Sequence, residues 1–159
     1  MEKGLLIDAA KCICCHACEA ACSLVKEGEI NIDKSRIHVE MFPEAYFYYP
    51  LVCAQCEIAY CALPCPTKAL EKNFETGRVD FFAEKCIGCN MCVAGCPFGA
   101  ITVRAGVAAK CDLCDGDPAC VKFCEVDAIS YGEIGELAAG KQLVTALHFK
   151  DAAGNGSQG

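Results

Sequence analysis

A chain of 159 residues is about the length of one ordinary domain, yet 17 of its residues are cysteine and only 22% are charged. A formal charge of −7 sets the surface against nucleic-acid phosphates, and with no run of about 18 apolar residues, and Asp8 arriving before a signal-peptide core could form, neither a membrane span nor a secretory leader is expected. The expected location is the cytoplasm, where thiols are kept reduced and a disulfide framework is a poor use for an odd number of cysteines, and the expected partner is a protein.

Cysteine falls in four bursts separated by short strand signals. Lys11 precedes the first burst, Cys12, Cys15, Cys18 and Cys22, which leaves Cys14 over and encloses His16. Cys14 is read as a bystander of the loop, with a spare ligand or redox thiol as the alternative. His16 is read as a partly exposed loop histidine, with a donor to a metal-bound sulfur as the alternative. His38–Phe42 alternates like a strand. Tyr46, Phe47, Tyr48 and Tyr49 before Pro50 are too dense for one face of a strand, so they are expected to shield a site from water, with partner docking next.

The second burst is Cys53, Cys56, Cys61 and Cys65, followed by Pro66. After a turn at Thr76 and Gly77, Val79–Phe82 reads as one arm of a hairpin. The third burst is Cys86, Cys89, Cys92 and Cys96, followed by Pro97, in which Gly88, Gly95 and Gly99 are expected to let backbone approach closely. The fourth is Cys111, Cys114, Cys120 and Cys124. Lys85 and Lys110 precede these two bursts and, like Lys11, are read as solvated lysines at strand ends, with a cation easing reduction as the alternative. Ala69 with Leu70, Ala100 with Ile101, and Ala128 with Ile129 each mark a return to a short strand. Ile134–Phe149 has apolar residues near helical spacing interrupted by Gly140 and reads as a helix or extended arm, with subunit docking or a strap over the chain's own surface as its role. Residues 151–159 read as a flexible tail.

The spacing carries the chemistry. A cubane iron–sulfur cluster needs one thiolate per iron, and two residues between ligands let a tight loop turn its backbone around it. The fourth cysteine, expected at the start of a helical turn, points away and ligates the other cluster of a pair in two-cluster ferredoxins. Structural zinc uses two separated cysteine or histidine pairs around one ion, a different pattern from three consecutive ligands plus a Cys-Pro.

The third burst, with Phe98, Gly99, Ala100 and Ile101 behind it, resembles bacterial ferredoxin. The order of all four bursts, over about residues 3–131, resembles the four-cluster electron-transfer subunits of molybdenum and tungsten oxidoreductases, and among them the small subunit of bacterial tungsten aldehyde oxidoreductases. The resemblance implies an α+β fold of tandem bacterial-ferredoxin-like modules in pseudo-twofold arrangement. The four-cluster domain would span 1–131, with an inner module at about 50–105 and an outer module of 1–49 plus 106–131, followed by the arm at 132–150.

It also implies four [4Fe–4S] clusters with crossed ligands. One would be held by Cys12, Cys15, Cys18 and Cys124, and its mate by Cys111, Cys114, Cys120 and Cys22. The inner pair would be held by Cys53, Cys56, Cys61 with Cys96, and by Cys86, Cys89, Cys92 with Cys65. With five residues between Cys114 and Cys120, the fourth burst lacks the longer insertions of membrane-anchored relatives.

A compact chain of this length has a radius of gyration of roughly 15 Å, so four clusters inside it lie within about 10–15 Å of their neighbours. No phosphate-binding loop, nicotinamide fingerprint, paired histidines or cluster short of a thiolate is visible. The expected function is therefore a non-catalytic subunit relaying single electrons between a large tungsten- or molybdenum-pterin subunit and a flavoprotein or other acceptor. The alternatives are a structural iron–sulfur scaffold that self-associates into a longer chain, and a free polyferredoxin or a ferredoxin associated with hydrogenase or carbon monoxide dehydrogenase.

Overall fold

The computed structural model describes residues 3–135, where eight short strands pair into four separate two-stranded antiparallel ribbons. Strand β1 (Lys3–Ile7) pairs with the last strand, Ile129–Glu133, running from Lys3 opposite Glu133 to Ile7 opposite Ile129. Strands β2 (His38–Phe42) and β3 (Phe47–Leu51) form a hairpin, as do β4 (Leu70–Lys72) and β5 (Val79–Phe81), and β6 (Ile101–Arg104) and β7 (Val107–Lys110). The last strand is β8. The alanine-plus-aliphatic signals hold, since Leu70, Ile101 and Ile129 each open a strand and are each 2% exposed.

Turn chemistry explains the hairpins. Asn73 Oδ1 accepts from the N–H groups of Glu75 and Thr76 and, with Gly77 at φ 71°, closes β4 onto β5. Ala105 and Gly106 both sit at positive φ, 48° and 79°, the two-residue turn that matches strand twist in β6–β7.

Three helices lie within the bursts. Helix α1 (Ala17–Glu27) ends at Gly28, whose left-handed φ of 74° aims its N–H at Leu24 O. Helix α2 spans Met91–Gly95 and α3 spans Ala119–Lys122. The second burst remains in turns, with Pro64 directly before Cys65. The fourth cysteine does not start a helical turn as expected. Cys18, Cys92 and Cys120, the third ligands, lie at the second residue of each helix, while Cys22 falls one turn later, Cys96 at the end of α2, and Cys124 just beyond α3. The backbone wrapped around one site thus leads, through a single turn of helix, toward a second.

No single hydrocarbon core exists among the described residues. Buried side chains form three small groups in which cysteine is a major member: one around Ile37, Val39, Cys18, Cys22 and Cys120, one around Leu70, Val79, Ile101, Cys61 and Cys92, and one of Cys53, Ala100, Cys111 and Leu113. Beyond Val39, β2 is exposed instead of alternating. The expected C-terminal helix or arm falls outside the described residues apart from its first few, and the tail falls outside them entirely.

Candidate metal centres

Four cavities, each with about 300–330 Å³ of empty space partly open to solvent, take up sixteen of the seventeen cysteines. Cys12, Cys15, Cys18 and Cys124 border one, and Cys22, Cys111, Cys114 and Cys120 a second. Cys53, Cys56, Cys61 and Cys96 border a third, and Cys65, Cys86, Cys89 and Cys92 the fourth. Three thiols of one burst and the last thiol of another meet at every cavity. The rest of each lining is mainly apolar, including Val39 and Pro50 at the first and Ala59 and Ile101 at the third.

The buried side-chain groups connect these cavities in a row. Cys18, Cys22 and Cys120 pack in one group, joining the first cavity to the second. Cys53, Cys111 and the adjoining Cys96 join the second to the third. Cys61 and Cys92, with Cys86 and Cys96 alongside, join the third to the fourth.

Burial works against leaving several of these thiols ionised on their own. Burial pushes the Cys18 and Cys111 thiols up to about 12 and Cys61 to about 11, and it raises Cys120 further. Ionising these four thiols calls for a compensating positive charge, which a metal bound in the cavity would supply as the protons leave. Cys65 goes the other way. Although burial works against it, hydrogen bonds from backbone N–H groups, including Ala69 N at 3.2 Å, hold it below the ordinary thiol value.

The same donation recurs from Ala128 N to Cys124 Sγ (3.2 Å), from Arg36 N to Cys22 Sγ (3.3 Å) and from Leu113 N to Cys111 Sγ (3.5 Å). Backbone donors of this kind orient ligand sulfurs and tune the metal's charge. Among the described residues no three cysteine, histidine or acidic side chains converge closely enough for one ion. The thiols instead frame a space, and a cubane with one iron per thiolate suits it better than a tetrahedral zinc.

The three lysines that precede bursts are not alike. Lys11 is exposed and Lys85 lies over the Phe82 ring, 4.3 Å from its centroid. Lys110 is not a solvated strand-end lysine. It is 6% exposed, because β7 turns its last side chain inward between two bursts. The aromatic run lies on β3 from Phe47 onward; Phe47 and Tyr49, with Tyr46 just before the strand, face solvent, and Pro50 is buried against the first cavity.

Gly88 and Gly95 do meet close backbone, but an added Cβ at Gly99 would meet nothing within 4 Å, so its φ of 64° is its requirement. Cys14 borders none of the four cavities; its Sγ lies 3.4 Å from His16 Nε2. His16 Nδ1 contacts Glu19, a carboxylate 3% exposed that also accepts from Val39 N at 3.0 Å. Glu19 and Gln55 are buried polar residues that sequence patterning passes over, and only their position inside ligand loops could have marked them.

Residues 44–134 match the 4Fe-4S dicluster domain.

The chain belongs to that family.

The match takes in the second, third and fourth bursts, while residues before it supply the first. The polyferredoxin-like subunit of aliphatic sulfonate oxidoreductase from Pyrococcus furiosus is 43% identical over 76% of this chain and 70% of that protein. The electron transport protein HydN of Escherichia coli is 35% identical over 94% of this chain and 100% of its own length. The putative oxidoreductase UacF of Escherichia coli is 34% identical over 99% of this chain, which spans only 25% of that longer protein. The active-site complex BamBC of benzoyl-coenzyme A reductase with benzoyl-CoA aligns over 98% of this chain and 97% of its own, at 26% identity and a TM-score of 0.49. Within this family the chain is an iron–sulfur protein of electron transport. No helix among the described residues is long and apolar enough to cross a membrane.

Proposed function

We propose that the chain is a non-catalytic subunit that relays single electrons through four [4Fe–4S] clusters between the catalytic subunit of an oxidoreductase and a second redox partner. The observation that carries this reading is the row of four cavities, each framed by three thiols of one burst and one of another. The crossed sets stated above are the proposed ligands. Clusters held there supply one-electron oxidation and reduction without bond breaking at the protein.

The chain's own residues do the rest. The cysteines fix each site, backbone N–H groups of Arg36, Ala69, Leu113 and Ala128 offset thiolate charge, and apolar contacts between neighbouring cavities keep water from the path. Reaching both partners requires exposed sites at the two ends of the row, and Cys15 and Cys89, which border the end cavities, are both exposed.

A relative named as an oxidoreductase subunit supports a catalytic partner. That this partner carries a tungsten or molybdenum pterin, that it oxidises an aldehyde, and that a flavoprotein stands at the far end rest on the sequence resemblance. Location in the cytoplasm and the two-module, pseudo-twofold division of residues 1–131 are part of the same proposal. A second reading, a separate small carrier, is favoured by HydN, an electron transport protein matched over its full length.

Anaerobic purification from the native host tests both. About sixteen irons per chain, four per cubane, bleaching by dithionite, co-purification with a pterin-containing large subunit, and cluster reduction on adding aldehyde are expected. Full iron without any large subunit supports the separate carrier. Zinc, or iron far below that content, overturns the cluster reading.

A further inference from the structure

The contact between the second and third cavities holds a buried cation that no cluster ligand requires. Lys110 Nζ donates to Cys111 O at 2.8 Å, Val79 O at 2.9 Å and Gln55 Oε1 at 3.1 Å. An ammonium has three N–H donors and no acceptor, which matches three oxygens; a neutral amine would turn its lone pair on one of them. Gln55, 2% exposed, fixes the arrangement by donating from Nε2 to Cys111 O at 2.8 Å and accepting from Val79 N at 2.9 Å. The second burst, β5, β7 and the fourth burst therefore meet at one charge.

Among the described residues no carboxylate touches this ammonium. Asp80 feels its field, but Asp80 is bonded to Arg78 at 2.6 Å and Asn73 at 3.0 Å. Burying a cation without a counter-ion is costly, so the anion that compensates it should lie in the adjoining cavities. Cys111 borders one and Cys61 the other. The carbonyl oxygens that hold Lys110 belong to Cys111, which borders the second cavity, and to Val79, which borders the third.

We propose that Lys110 is a fixed counter-charge shared by the two central sites of the row, Cys22/Cys111/Cys114/Cys120 and Cys53/Cys56/Cys61/Cys96, raising the reduction potentials of both. This rests on the cluster reading above. Accepting one electron from a donor such as dithionite adds one negative charge to a site, breaks no bond and moves no proton. A nearby ammonium in a low-dielectric interior stabilises the reduced form more than the oxidised one. Lys110 is thus a positioning charge at the step that joins the first and fourth bursts to the second and third.

The test is an anaerobic potentiometric titration of the full, iron-loaded chain, followed by electron paramagnetic resonance, for the wild type and Lys110→Met. Two of the four couples should show at least a tenfold lower reduced-to-oxidised ratio at a given ambient potential, about 59 mV for a one-electron couple, while the other two change less than threefold. Lys11→Gln, which removes an exposed cation beside the first burst, should move none of them tenfold. If Lys110→Met does not load iron, Gln55→Glu reads the same quantity. It keeps an oxygen at the ammonium, adds a cancelling charge, and should lower the same two couples.

A fully loaded variant whose four couples stay within threefold of wild type, or shift equally, overturns the proposal. Wild-type protein lacking the iron content given above instead counts against the cluster reading, so the two failures are distinct.

Discussion

Replacing Gly88 by alanine should loosen the third burst from the β6–β7 turn, at a cost with two separable parts. Gly88 has φ 67°, where an L-residue costs roughly 1–2 kcal/mol. Its added Cβ would also stand 2.4 Å from Gly106 O and 3.0 Å from Gly106 carbonyl carbon. Both are backbone atoms, so the turn itself must shift, and overpacking of that kind typically costs about 1–3 kcal/mol more. Gly99 is the internal control, with φ 64° and nothing within 4 Å of a built Cβ. Gly99→Ala should therefore lose only the first part, about 1–2 kcal/mol, and Gly88→Ala about 2–5 kcal/mol. The assay is the rate at which visible absorbance is lost from anaerobically loaded protein in a fixed urea concentration. Each 1.36 kcal/mol realised in the unfolding barrier is about tenfold, so Gly88→Ala should bleach about five- to 150-fold faster than Gly99→Ala. Equal rates, or a faster Gly99→Ala, would refute the close-approach reasoning.

Other outcomes follow from the same structure. Ala105→Asn should stabilise the chain by roughly 1 kcal/mol, because asparagine tolerates the positive φ of this two-residue turn better than alanine; a raised urea midpoint checks it. Removing iron with a chelator under reducing conditions should abolish most far-ultraviolet circular dichroism, since the three buried groups are too small to hold the fold; retained native dichroism would contradict this. Cys96→Ala and Cys65→Ala should each lose about four irons, one cubane. Cys14→Ala should lose none, because Cys14 borders no cavity, and iron analysis beside the wild type measures both.

The grouping of the cysteines into four bursts was legible in the sequence because its physics is local: two-residue spacings force tight loops. Which burst meets which, as in Cys124 beside Cys12 or Cys65 beside Cys86, was implied by the family resemblance and not by the spacing. The positions of β4, β6 and β8 were visible, since an alanine and an aliphatic residue follow each of three bursts at a fixed offset. Burial of single side chains was less legible. Tyr46, Phe47 and Tyr49 look like a shield by composition, yet Phe47 and Tyr49 on β3, and Tyr46 just before it, face solvent. Lys110 looks like its counterparts Lys11 and Lys85, each set just before a burst, and all three invite one reading.

What separates Lys110 from those two is tertiary. Its acceptors come from Gln55, some fifty residues upstream, from Val79 on another hairpin and from Cys111 beside it. A buried glutamine with both ends of its amide engaged is the clearest mark of that junction. In a row of sites that all add negative charge on reduction, a cation with no adjoining carboxylate among the described residues is best placed where two sites share it. The fold provides one such position among the described residues it buries, at the contact between the second and third cavities.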